Sequence, residues 1–213
     1  VTPLVTAVVT PRIGQRERTI LLDGEAWRTT SAAVIRRLGV REGDVVDPVV
    51  LTRAIDTAEP EAARERALGL LGYRERSAHE LARKLADDGY RPDVVTQVVA
   101  RFQECLLVDD CRFAESLVRG AVGGRKLGRE RIVRTLTDAG VDPEIIADVV
   151  NEHAPAEAEL ARASELAQRM ALRVNDPRKL AQRLIRRGFA PDVAFTAVRA
   201  VRAADGEADE QGL

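Results

Sequence analysis

The sequence predicts a mainly α-helical protein: three tandem three-helix repeats forming an elongated, curved helical array, behind a small N-terminal α+β extension carrying a β-hairpin. Three observations predict it. One pattern recurs three times without a gap, at offsets of 51 and then 48 residues. Aromatic residues make up only 3% of the 213-residue chain, which suits a stack of small units better than one large core. The first sixty residues lack the repeat and carry strand and turn signals instead. A period of this size marks stacked supersecondary units, none of which buries its apolar face alone.

The N-terminal extension, residues 1–59, reads as strands at Val5–Val9, Thr19–Leu22 and Ala26–Thr29. Asp23-Gly24 between the last two is a strong hairpin signal. Ser31 starts a short helix through Leu38, stopped by Gly39, and Asp47-Pro48 opens another through about Ala58.

Each repeat then shows a capping residue, two apolar residues four apart, a Gly, an apolar residue, and Pro followed by an acid. The copies are Ser77, Leu81, Leu85, Gly89, Tyr90, Pro92, Asp93; Gly128, Ile132, Leu136, Gly140, Val141, Pro143, Glu144; and Asp176, Leu180, Leu184, Gly188, Phe189, Pro191, Asp192. Apolar residues four apart share one helix face. The Gly suits the left-handed position past a helix end, and the Pro suits the first position of the next helix. The acid there meets the positive end of that helix's dipole, and Ser77 with Glu80 forms a capping-box pattern. An apolar-periodic helix precedes each capping residue, with Asp109-Asp110 and Pro155 as the breaks between repeats. The division is therefore repeat one at 60–108, repeat two at 109–154, repeat three at 155–204, and a disordered acidic tail at 205–213.

Composition excludes several classes. No stretch is long enough to span a membrane and no signal peptide is visible, so a cytoplasmic protein is expected. Cys105 and Cys111 form neither a CxxC pair nor a disulfide framework. His79 and His153 lack ligand spacing, and a metal site is not expected. Gly123 to Gly128 has the spacing of a phosphate loop, but Arg129-Glu130 stands where Lys-Ser/Thr is required. No nucleophile motif is present. No cofactor and no catalytic residue is expected, and the chain reads as a non-enzyme.

The net charge of −1 hides segregation. Residues 111–134 hold seven basic and two acidic side chains, 135–165 hold one and eight, and 178–202 hold seven and one. Apolar positions alone suffice for folding, so the repeats carry different surface charges on one scaffold. Arg119, Arg125, Lys126, Arg129, Arg131 and Arg134 of repeat two, with Lys179, Arg183, Arg186 and Arg187 of repeat three, are the candidate contacts to an acidic partner or to phosphates. The loop from Gly120 to Gly128 is expected to give its basic residues flexible reach. A charge run is often only a solvated helix face. Without interleaved aromatics, any nucleic-acid contact is backbone-directed and salt-sensitive. A stand-alone helix-turn-helix-like DNA-binding regulator and a protein-interaction adaptor remain open on these residues alone.

Leu-Val-Asp-Asp-Cys-Arg-Phe-Ala at 107–114 and Arg-Ile-Val-Arg-Thr-Leu-Thr-Asp-Ala-Gly-Val at 131–141, read with Arg76-Ser77 and Glu80-Leu81, resemble the RecX family of regulatory proteins. The likeness covers about Glu61 to Arg202. Leu106 stands where that family often has Gly, and Thr135 where it usually has an acid. The resemblance implies a monomeric, non-enzymatic modulator that binds the RecA recombinase filament on single-stranded DNA. It would block filament extension and so lower ATPase, strand-exchange and SOS co-protease activity.

Overall fold

The computed structural model describes residues 2–11 and 16–210, with side chains described as far as Ala203. The chain forms two compact units that divide between Asp109 and Asp110. It is mostly helical, as its repeat pattern predicts, with a three-stranded sheet near the N-terminus.

In unit 1, β1 (Val5–Val9), β2 (Glu17–Leu22) and β3 (Glu25–Ser31) form an antiparallel sheet in the order β1-β2-β3. Asp23 and Gly24 have φ of 48° and 88°, both left-handed, as a two-residue hairpin turn of the favoured hand requires. Ser31 Oγ accepts a hydrogen bond from Val34 N at 3.2 Å and starts α1 (Ala32–Leu38). The unit continues with α2 (Pro48–Tyr73), α3 (Ala78–Asp87) and α4 (Pro92–Glu104).

One expectation fails here. The boundary drawn between Glu59 and Pro60 falls inside α2, a single helix of 26 residues with Pro60 in its interior. An internal proline costs roughly 3 kcal/mol. Burial on both sides of it offsets that cost: Leu51 and Ile55 before Pro60, and Ala62, Ala63, Ala67 and Leu70 after it, belong to one core. That core also contains Val5 and Ile20 of the sheet and Leu81 and Leu85 of α3. The extension and repeat one are thus one folded body. The uninterrupted helix also places Glu59, fully buried, where its carboxylate accepts from Arg91 N at 2.9 Å. This satisfies a backbone donor at the start of α4, which has no side-chain cap of its own.

Unit 2 holds repeats two and three: α5 (Asp110–Gly123), α6 (Arg129–Asp138), α7 (Pro143–His153), a 3-10 turn (Ala156–Ala158), α8 (Glu159–Ala171), α9 (Pro177–Arg186) and α10 (Pro191–Glu210). The tail expected to lack structure from Asp205 instead continues α10 to Glu210. Extending a formed helix avoids the cost of nucleation; residues 211–213 lie outside the described residues.

The repeat landmarks behave alike in all three copies. Leu81, Leu85, Ile132, Leu136, Leu180 and Leu184 are fully buried. Gly89, Gly140 and Gly188 have positive φ, and each following helix opens on the expected Pro. Repeats two and three keep separate apolar cores, one around Ile132 and Leu136 and the other around Leu180 and Leu184.

Candidate functional site

The two cores of unit 2 meet through backbone. The start of α6 sits directly on the end of α9. Gly128 N donates to Arg187 O at 3.0 Å and Glu130 N donates to Gly188 O at 3.2 Å. Between them, Arg129 N donates to Glu159 Oε1 at 2.8 Å. Three backbone donors that a helix start leaves without intrahelical partners are thereby satisfied from repeat three. This explains why repeat two has Gly where its sisters have capping side chains. Ser77 Oγ accepts from Glu80 N, and Asp176 Oδ1 accepts from Arg178 N and Lys179 N. A Cβ on Gly128 would stand 2.1 Å from the Gly188 carbonyl carbon. The fit is reciprocal, since a Cβ on Gly188 would stand 2.2 Å from Arg131 Cβ and 2.5 Å from Arg131 N.

The junction sorts the ten basic candidates. Three are fastened into it. Arg129 donates from Nη1 to the carbonyls of Val150 and Ala154, at 3.3 and 3.0 Å, and from Nη2 to Asn151 Oδ1 at 2.6 Å, closing the end of α7. Lys126 Nζ lies 2.7 Å from Glu165 Oε2, and this hydrogen bond holds the Glu165 carboxyl below its usual range. Arg187 Nη1 donates to Arg125 O at 2.6 Å. The flexible basic loop expected from Gly120 to Gly128 is therefore corrected. Its first part is the end of α5, and its remainder is held at both ends, with Leu127 N also donating to Ala121 O at 2.9 Å.

The other seven are presented outward to different degrees. Arg119 pairs with Glu115 at 3.4 Å, one turn earlier on α5. The Arg125 side chain is exposed, though its carbonyl is taken. Lys179, Arg183 and Arg186 follow one face of α9 at i, i+4 and i+7. Lys179 has a loose partner in Asp176 at 3.9 Å. Arg131 and Arg134 are exposed on α6 at i, i+3. Arg131, Arg134, Arg183 and Arg186 have no ion pair among the described residues. Gly188, two residues past Arg186, abuts Arg131, so the basic last turn of α9 and the basic first turns of α6 lie against one another at this junction.

Folding alone gives little reason for this placement. Arginine in the last turn of α9 suits the negative end of its dipole, but arginine in the first turn of α6 opposes the positive end. Arg129 offsets that penalty by capping α7; the exposed Arg131 does not.

Sequence reasoning missed Arg162. It is buried on α8, where burial pushes the guanidinium below its ordinary pKa, and Nε and Nη2 have no hydrogen-bond partner among the described residues. Glu159, one turn earlier, supplies partial compensation. No group of His, Cys, Asp and Glu with metal-binding geometry occurs among the described residues, and no helix there is long and apolar enough to cross a membrane.

Comparison with known proteins gives this arrangement a family. Two family models match, "RecX, first three-helix domain" over residues 63–102 and "RecX, second three-helix domain" over 109–150. A curated relative, "Regulatory protein RecX" of Halorhodospira halophila, is 37% identical over 166 residues, spanning 73% of this chain and 95% of that one. The chain belongs to the RecX family. A second RecX relative, from Mycolicibacterium vanbaalenii, is 35% identical over 163 residues, covering 71% of this chain and 88% of its own. The fold agrees with two RecX crystal structures. The one from Lactobacillus salivarius has a TM-score of 0.60 at 23% identity, over 69% of this chain and 99% of its own. The other has a TM-score of 0.56 at 22% identity, over 90% and 96%. The RecX relatives carry the name of regulatory proteins, in keeping with a regulator.

Proposed function

We propose that this RecX-family chain is a non-catalytic modulator of the RecA recombinase. It binds the RecA filament on single-stranded DNA and stops filament extension. Lower ATPase, strand-exchange and SOS co-protease activity follow from the shorter filament. Family membership supports the partner. The observation that supports the contact surface is the close packing of the basic end of α9 on the basic start of α6 at the Gly128–Gly188 junction.

In this proposal Lys179, Arg183 and Arg186 on α9 and Arg131 and Arg134 on α6 meet acidic protein surface or phosphates. Arg119 and Arg125 lie at its margin. Arg129, Lys126 and Arg187 serve it indirectly by holding the junction. Exposed arginines of this kind give sequence-independent, salt-sensitive attraction to nucleic-acid backbone, and forked donors for carboxylates and phosphates. The acidic stretch around α7 would face basic protein surface.

Titrating the protein into RecA on single-stranded DNA, while following ATP hydrolysis and filament length by electron microscopy, tests the proposal. Hydrolysis and mean filament length should fall together as the protein is added. Unchanged filaments at saturating protein would refute it, and binding to bare duplex with sequence preference would favour a stand-alone DNA-binding regulator.

A further inference from the structure

We propose that a cleft in unit 1, between β2, α1 and α2, binds a phosphate group. The phosphate is either a phosphodiester of single-stranded nucleic acid or a free phosphate. The cleft encloses about 340 Å³ and is lined by Arg16, Arg18, Arg36 and Arg66, with Asp88 and Tyr90 at its floor. That volume is at the small end for ligand sites and has room for a phosphate with an attached sugar.

Charge is the reason to expect an anion. Arg18 aside, Arg16, Arg36 and Arg66 face a single lining carboxylate, an excess of two positive charges in one concavity. Asp88 is already engaged, with Oδ2 2.5 Å from Arg66 Nε and Oδ1 3.8 Å from Arg16 Nε. Arg18 Nη1 donates to Glu17 O at 2.7 Å, which directs its head group. Arg36 is exposed and has no ion pair among the described residues. A place in the last turn of a helix favours Arg36 and Arg37 alike. Arg37 turns to Glu65 at 3.0 Å, however, whereas Arg36 lines the cleft.

The floor argues for phosphate over base. Tyr90 is the one aromatic lining residue, but its ring is buried and its hydroxyl donates to Ala62 O at 3.0 Å. No ring face is offered for base stacking. Converging guanidiniums instead present paired N–H donors matched to phosphate oxygens. The sequence hid this cluster because its four arginines are spread over fifty-one positions, in no basic run.

The test uses the full chain without RecA, so its failure would leave the filament proposal standing. Fluorescence anisotropy with a labelled oligothymidylate, and calorimetry with inorganic pyrophosphate, are run on wild type, Arg36→Glu and Arg101→Glu. Arg101 makes the same charge change from α4, outside the cleft. If the source is nucleic acid, Arg36→Glu weakens oligonucleotide binding about fivefold more than Arg101→Glu does. It also lowers the slope of log affinity against log salt by ~0.7, as expected for one lost contact to a single strand. If the source is free phosphate, Arg36→Glu abolishes the pyrophosphate signal and leaves the oligonucleotide at the Arg101→Glu level. Should Arg36→Glu melt early by circular dichroism, Arg36→Gln replaces it with the same readouts. Equal behaviour of cleft and control variants toward both probes overturns the site.

Discussion

Gly188→Ala probes the contact on which unit 2 is assembled. At φ +88° an alanine costs about 1–2 kcal/mol in backbone strain. Its Cβ would also stand 2.2 Å from Arg131 Cβ, 2.5 Å from Arg131 N and 2.8 Å from Arg131 Cα. Two of those three atoms are backbone, so rotating a side chain cannot relieve the overlap. Forcing α6 away adds roughly 1–3 kcal/mol of overpacking and strains the bonds from Gly128 N and Glu130 N. The sum, about 2–5 kcal/mol, is a large part of the 5–15 kcal/mol typical of a domain. Gly39→Ala is the control: Gly39 has φ +70° but nothing within 4 Å of a built Cβ, so only the strain of about 1–2 kcal/mol applies. Urea unfolding followed by far-UV circular dichroism compares the two. A Gly188→Ala loss no greater than that of Gly39→Ala would refute the close docking of α6 on α9.

Three further outcomes follow from single residues. Arg162→Met should change stability by less than about 1 kcal/mol in thermal melts, because the relief of removing a buried guanidinium with unpaired donors is offset by the attraction lost to the buried Glu159 carboxylate, which keeps its hydrogen bond from Arg129 N; a clear loss would show that the attraction to Glu159 outweighs the burial cost. Leu106→Gly should stabilise by about 1 kcal/mol, since Leu106 is exposed at φ 56°, a conformation unfavourable to any residue with a Cβ; destabilisation in urea would show that its side chain matters more than its backbone. The Lys126–Glu165 link should be pH-dependent. Glu165 has a lowered pKa when folded, so its contribution is present above the ordinary carboxylate value and lost as pH falls through the lowered one. Lys126→Ala should therefore melt below wild type near pH 7 and with it near pH 2; an equal deficit at both would exclude the ion pair as the cause.

The legible parts of this fold are those encoded locally. Leu81 and Leu85, Gly89 and Pro92 lie within a dozen residues and specify face, stop and restart through backbone geometry alone. The hairpin at Asp23-Gly24 is read the same way. Pro60 misled because its cost is local, whereas the burial that offsets it comes from sheet, α3 and α4 residues distant in sequence. The candidate site was legible as charge but not as role. Arg129 and Arg131 are two positions apart with the same chemistry, yet one reaches carbonyls of α7 and the other faces solvent. Gly128 read as a capping residue, when its missing side chain is what admits the Gly188 carbonyl.

The most direct test of the joined basic face combines Arg131→Glu, Arg183→Glu and Arg186→Glu in one chain and measures inhibition of RecA ATP hydrolysis on single-stranded DNA. These three are exposed, have no ion pair among the described residues, and leave the junction contacts of Arg129, Lys126 and Arg187 in place. A folded triple variant that needs at least about tenfold more protein for half-inhibition is the predicted result. Inhibition at the wild-type concentration would contradict the assignment of that face.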